Sequence, residues 1–183
     1  EIVGKARATL APGDVLVVCS DHGFSSFRRG VNYNTWLVRN GYMTLKGTET
    51  GAATLEDLFD RGGESLFRNV DWSRTKAYAM GLGGIYVNLA GREPQGIVQE
   101  GDEYNQVVRG IQQGLEALVD PATGEKPVTH VYTREEMYTQ FDPVLTPDLR
   151  AANALNYRVS WQTTLGGVPP EVIEDNLKAW SAD

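Results

Sequence analysis

The chain has 183 residues, of which 41% are hydrophobic and 22% are charged. That is an ordinary globular composition, so disorder, collagen and coiled coil are excluded as descriptions of the whole chain. The 17 basic and 24 acidic side chains give a net charge of −7, which disfavours binding to a nucleic-acid polymer because phosphates repel such a chain. No apolar run approaches the roughly 20 residues of a membrane helix. The single cysteine, Cys19, excludes an internal disulfide.

Predicted helices and strands alternate along the chain. A helix is predicted at the start, and the apolar, β-branched run at residues 15–18 predicts a strand that is buried on both faces of a sheet. Further helices are predicted over residues 34–40 and 104–119, from residue 133, and over residues 169–180, with a loop over residues 55–67. Further strands are predicted over residues 76–80, 85–89, 128–132 and 158–165. This alternation predicts an α/β layered fold.

Both ends of the sequence indicate a cut chain. It opens inside a helical pattern with no initiator Met and no signal peptide, and it stops at Asp183 without a tail. We therefore expect residues 1–183 to be part of one domain, with an N-terminal part and an extreme C-terminal part lying outside this sequence.

The strongest candidate for chemistry is Asp21-His22-Gly23, which directly follows the predicted strand at residues 15–18. In open α/β sheets, ligands bind at the carboxyl ends of the strands. A carboxylate and a neutral imidazole are both good ligands for zinc and similar divalent metals, and Gly23 lets the backbone bend away. The alternative is a turn in which Asp21 caps a helix and His22 is solvated.

Four other positions have two interpretations each. Arg28, close behind the candidate loop, is either a phosphate contact or part of a solvated face, as is its neighbour Arg29. Arg158, near Trp161, either lines the active site or packs across strands. His130, in an alternating strand, is structural more often than functional. We expect Cys19 to be a small core residue at the end of the strand at residues 15–18.

The segment at residues 20–24 (SDHGF), after a hydrophobic run, resembles the metal-binding segment of the alkaline phosphatase superfamily. The branch it is most similar to is that of the type I phosphodiesterase/nucleotide pyrophosphatase-like proteins, which include predicted phosphohydrolases and phosphomutases. Further segments resemble other blocks of that family in the same order: residues 34–43, 84–98, 147–149, 157–162 and 180–183. Family members continue the last block with a metal-ligating histidine.

The resemblance implies an alkaline-phosphatase-like three-layer α/β/α sandwich with a largely parallel sheet, of which this chain is a C-terminal portion. It also implies a hydrolase for a small-molecule phosphate ester, either a phosphodiesterase or a phosphomonoesterase. Two divalent metal ions, zinc as a rule, would flank a Thr or Ser nucleophile that lies outside this chain. Asp21 and His22 would ligate one metal, and Arg28, Arg158 and Asp183 would line the active site.

The expected partner of this chain is the remainder of the parent polypeptide, without which it should be inactive. The expected compartment is the periplasm or the extracellular space. Two alternatives stay open: a sulfatase or cofactor-independent phosphomutase on the same fold, and a degenerate module that binds without catalysis.

Overall fold

The computed structural model describes residues 1–23, 25–47 and 67–177. Its helices are α1 (Ile2–Ala8), α2 (Tyr33–Arg39), α3 (Asp102–Glu116), α4 (Arg134–Met137) and α5 (Trp161–Thr164), with a 3-10 helix at Trp72–Arg74. Its strands are β1 (Phe27–Val31), β2 (Ala77–Met80), β3 (Gly84–Val87), β4 (Val128–Thr133), β5 (Leu149–Asn153), β6 (Asn156–Val159) and β7 (Ile173–Asp175). The fold is therefore α/β, as the alternation of patterns predicted.

The strands form two sheets. One has three strands in the order β6-β1-β7, with β1 parallel to β6 and antiparallel to β7. The other has four antiparallel strands in the order β2-β3-β5-β4. The described residues thus form one mixed and one antiparallel sheet, and not the largely parallel sheet that was expected. Short connections explain this: β2 and β3 are joined by residues 81–83, whereas parallel neighbours need a crossover of about a dozen residues or more.

Helix α3 covers the antiparallel sheet with one apolar face. Its inward side chains Val107, Val108, Ile111 and Leu115 are buried and pack beside strand β4. The helical spacing of these residues predicted the element correctly. On the basis of apolar area, each such side chain contributes about 1.5–3 kcal/mol to folding.

Several other local predictions are confirmed. Helices α1 and α2 and strands β2, β3 and β4 lie within a few residues of their predicted ranges. The predicted capping box is present at α4, where Thr133 Oγ1 accepts from Glu136 N–H and Glu136 Oε2 accepts from Thr133 N–H at 2.7 Å. These elements depend on local signals, which is why the sequence alone indicates them.

The predicted strand at residues 15–18 is wrong. These residues form no strand, and the side chains of Val15 and Val17 are 83% and 75% exposed. A strand that is buried on both faces needs neighbouring strands, and none of the described strands pairs with this run. Cys19 is accordingly exposed and is not the core residue that was expected.

Two predictions near the C-terminal end are also corrected. The strand predicted over residues 158–165 ends at Val159, because Ser160 Oγ accepts from Gln162 N–H and starts helix α5. The helix predicted over residues 169–180 is replaced over Ile173–Asp175 by β7, which pairs with β1.

Residues 178–183 lie outside the described residues, as does most of the loop predicted over residues 55–67. Of the helices that are described, none combines the length and the apolar character needed to span a bilayer.

Candidate functional site

Asp21 and His22 lie on an exposed loop that leads into strand β1. His22 Nε2 is 3.5 Å from Asp21 Oδ2, and His22 Nδ1 is 3.0 Å from the carbonyl oxygen of Gly23. Ser20 Oγ donates to the His22 carbonyl at 2.6 Å. Since the loop runs into a strand and not into a helix, the alternative in which Asp21 caps a helix is excluded.

This pair fits as two ligands of one divalent cation. The Gly23 carbonyl favours the tautomer in which Nδ1 carries the proton, which makes Nε2 the ligating atom. At zinc–ligand bonds of about 2.0–2.1 Å, neighbouring donors of a tetrahedron lie about 3.4 Å apart, close to the separation in this loop. Within residues 1–23, 25–47 and 67–177, no three or more His, Cys, Asp and Glu side chains gather at one point. The described residues therefore offer two candidate donors in this loop and no closed metal site.

Arg28 and Arg29 point to different environments. Arg28 is exposed on β1, and its carbonyl accepts from Asn176 N–H. The Arg29 guanidinium is largely buried and pairs with Asp120 and Asp175. Burial alone lowers the pKa of Arg29, but the two carboxylates outweigh it and raise that pKa. Of the two, only Arg28 remains available for a phosphate.

Arg158 lies between two aromatic rings. Its guanidinium carbon is 4.5 Å from the centroid of Phe27 and 4.6 Å from that of Trp161. The strand register places it beside Gly30 of β1, so the packing role across strands is real. No carboxylate among the described residues pairs with it, and burial lowers its pKa. Among the described residues, Arg158 is thus a half-buried cation held between two aromatic rings.

Two buried aspartates, which were not predicted as site residues, hold three largely buried arginines. Asp148, fully buried, accepts from Arg92 Nη2 at 2.7 Å and from the Tyr104 hydroxyl at 2.8 Å, and Arg134 Nη1 lies 3.2 Å away. Asp120, also fully buried, holds Arg29. Each carboxylate is already neutralised by guanidinium groups, so these clusters stabilise the fold. Asp148 directly precedes β5 (Leu149–Asn153), a strand that the sequence analysis did not predict, so no local strand signal pointed to it.

His130 and Asp183 are the remaining candidates. His130 lies on β4, with its Nδ1 2.7 Å from Glu116 Oε1 and its ring edge-to-face with Tyr132 at 4.4 Å. It is structural, as predicted. Asp183 lies outside the described residues.

Comparison with known families identifies the class of protein. Residues 1–167 match the model of the family described as Type I phosphodiesterase / nucleotide pyrophosphatase, and the chain therefore belongs to this family. The match covers Asp21, His22, Arg28 and Arg158 and confirms the resemblance seen in the sequence. No curated protein and no solved structure matches the chain. The family is one of phosphodiesterase- and pyrophosphatase-type hydrolases that act on small phosphate esters.

Proposed function

We propose that the protein is a metal-dependent phosphoric ester hydrolase, either a phosphodiesterase or a phosphomonoesterase. Its cofactors in this proposal are two zinc ions. The observation that carries this proposal is the donor pair of Asp21 and His22, 3.5 Å apart inside the family-matched region. The nucleophile is a Thr or Ser outside this chain. The remaining metal ligands come from the same parent polypeptide.

In this proposal, each residue of the loop has a defined task. A bound cation would act as a Lewis acid toward a phosphoryl oxygen. The Asp21 carboxylate contributes the negative charge of the ligand pair, and the Gly23 carbonyl orients the His22 ring from behind. The hydrogen bond from Ser20 Oγ to the His22 carbonyl limits the motion of the loop.

Arg158 is proposed as a contact to the phosphate of the substrate. A planar guanidinium binds two phosphate oxygens at once, and the two rings that hold Arg158 fix its plane before a ligand arrives. One of these rings, Phe27, is only five residues beyond His22, so the two Cα atoms are at most about 18 Å apart. Arg28 and Asp183 complete the proposed lining of the active site.

The proposed fold of the parent is the three-layer α/β/α sandwich of the superfamily, with this chain as its C-terminal portion. In that fold, residues 15–18 would find strand partners in the remainder of the polypeptide. The exposure of Val15 and Val17 in this chain supports the proposal. Covering such an apolar run with further strands would remove it from water, which lowers the free energy of the folded protein.

The test is hydrolysis of bis(p-nitrophenyl) phosphate and p-nitrophenyl phosphate by the full-length protein. We expect chelation of the metal and the substitution Asp21→Asn each to lower the rate at least about 100-fold. Mutating a residue that only hydrogen-bonds to a metal ligand already lowers metal affinity or activity about 10–100-fold, and Asp21 is proposed as a ligand itself. Asp14→Asn, in another exposed acid of the N-terminal segment, is the matched control and should leave the rate unchanged. Full activity after chelation, or in Asp21→Asn, would refute the metal-dependent mechanism. Turnover of p-nitrophenyl sulfate alone would favour the sulfatase alternative.

A further inference from the structure

A cavity of about 310 Å³ opens beside strand β2. Its walls include Phe67, Trp72, Tyr78, Met80 and Glu93. Its size lies at the lower end of the range for small-molecule sites, about 300–1,000 Å³. The loop that carries Asp21 and His22 contributes none of the described lining residues.

Three aromatic rings form one side of the cavity. Phe67, Trp72 and Tyr78 lie 5.2–5.5 Å apart by their centroids, at interplanar angles of 63–90°. The rings therefore present π-surfaces in different directions, while Tyr86 stacks on Tyr78 at 5.3 Å. Burial, and then the charge of Glu93, raise the pKa of Tyr78, so its ring stays a neutral phenol.

Glu93 gives the cavity its charge. Its side chain is 19% exposed and accepts from Arg92 Nε at 3.2 Å, and the Tyr78 hydroxyl also interacts with it. The Arg92 guanidinium is shared with Asp148, at 2.7 and 2.9 Å. Neither lysine nor arginine is among the described residues that line the cavity. The lining is thus aromatic and acidic, which disfavours an anionic ligand.

The cavity is held in shape without a ligand. The buried Asn88 side chain donates through Nδ2 to the carbonyls of Trp72, Thr75 and Gln95, at 3.2, 2.8 and 3.0 Å. It thereby ties the aromatic wall to the turn that presents Glu93. The turn is closed by Gly96, where an added Cβ would lie 2.0 Å from the Leu89 carbonyl oxygen. Such preorganisation lowers the entropy cost of binding.

We propose that this cavity binds an organic ammonium cation. Cations are attracted to the faces of Trp, Tyr and Phe, and more strongly where water is partly excluded. The Glu93 carboxylate adds a charge of the right sign, and the chain's net charge of −7 favours the approach of a cation. The proposal is independent of the metal site and of the reaction.

The test is calorimetric titration of the full-length protein with choline and with its neutral isostere, 3,3-dimethyl-1-butanol. We expect choline to bind about tenfold tighter than the alcohol, the effect of a partly desolvated cation–π contact. Glu93→Gln and Trp72→Leu should each weaken the binding of choline about three- to tenfold and leave the binding of the alcohol unchanged. Trp72→Phe should keep most of the affinity for choline. Glu125→Gln, in an exposed acid far along the chain, is the matched control.

The melting temperature of each variant checks that it folds, and the conservative pair Glu93→Gln and Trp72→Phe carries the conclusion if Trp72→Leu does not fold. Equal binding of choline and the alcohol would overturn the proposal, because the cavity would then be merely apolar. The absence of choline binding would overturn it too, as would tighter binding of indole that is insensitive to Glu93→Gln. Asp21→Ala should leave choline binding unchanged, which separates this site from the proposed metal site.

Discussion

Residues 15–18 and strand β3 have similar sequences and opposite fates. Both are short apolar runs rich in β-branched residues, yet Val17 is 75% exposed whereas Ile85 and Val87 are fully buried. The difference lies in their neighbours: β3 is flanked by β2 and β5, while no described strand pairs with residues 15–18. A strand pattern thus states what a segment can do, and partner strands decide whether it does so.

The same comparison separates two kinds of carboxylate. Asp120 and Asp148, in the packed region, are buried and neutralised by guanidinium groups. Asp21, on the exposed segment, has the imidazole of His22 as its neighbour. The candidate donors Asp21 and His22 thus lie on the exposed segment, whereas the two buried carboxylates are already engaged by arginines.

The largest expected effect follows from Asp148→Asn. The substitution removes the buried carboxylate that the Arg92 and Arg134 guanidinium groups share, and leaves them only Glu93 and Glu135 as partners. We expect a cost of about 3–5 kcal/mol in the free energy of unfolding. Urea unfolding measures this cost. The control is Asp102→Asn on the exposed first turn of α3, which should change stability by less than about 0.5 kcal/mol. A cost below 1 kcal/mol (about the range of a surface ion pair) for Asp148→Asn would contradict the role assigned to this cluster.

Asp120→Asn should cost less, about 2–3 kcal/mol near neutral pH, because Asp120 pairs with one guanidinium group, that of Arg29, whereas Asp148 is shared by two. Burial raises the pKa of Asp120, but hydrogen bonds from Ala122 N–H, Arg29 and Tyr157 outweigh it and hold that pKa below its usual range. A depressed folded-state pKa gives stability that is present above the unfolded pKa of about 3.9 and is lost as the pH falls through the folded value. The difference in the free energy of unfolding between wild type and Asp120→Asn should therefore become smaller as the pH falls from about 5 to about 2. If the difference in the free energy of unfolding did not change with pH, the lowered pKa of Asp120 would be contradicted.

A matched pair of Val→Thr substitutions tests whether residues 15–18 are exposed while the strands of the sheet are buried. Val131→Thr on β4 places a hydroxyl at a fully buried position and should cost about 1–3 kcal/mol. Val17→Thr, in the 183-residue chain, should cost less than about 0.5 kcal/mol because its side chain is exposed. Equal costs in this chain would show that residues 15–18 are buried after all. In the full-length protein, the proposed sandwich predicts that the two costs become similar.

The smallest effect is expected at the capping box of α4. Thr133→Ala removes the side-chain acceptor for Glu136 N–H and should cost about 1 kcal/mol. Thr133→Ser, which keeps the hydroxyl, should restore most of that stability. Denaturant unfolding of both variants measures the difference. If alanine and serine were equivalent, the cap would contribute nothing to stability.

Sequence reasoning succeeded where the determinants are local. The period of α3, the capping residue Thr133 and the alternation in β4 are each set by a few neighbouring side chains. It failed at residues 15–18 and at β7, where pairing with distant strands decides the structure. The loop of Asp21 and His22 carries a local motif, and its role in metal binding stays a prediction. The buried partners of Arg29 and Arg92 were not predicted at all. Those contacts join residues 91 and 56 positions apart, and no local pattern encodes them.

Metal content per chain of the full-length protein, measured for wild type, Asp21→Ala and Asp14→Ala, tests whether Asp21 is a metal ligand. Wild type and Asp14→Ala should each contain about two equivalents of divalent metal. Asp21→Ala should retain about one, because it lacks an anionic ligand of one site. Unchanged metal content in Asp21→Ala, or no metal in any of the three proteins, would contradict the assignment of Asp21 and His22 as ligands.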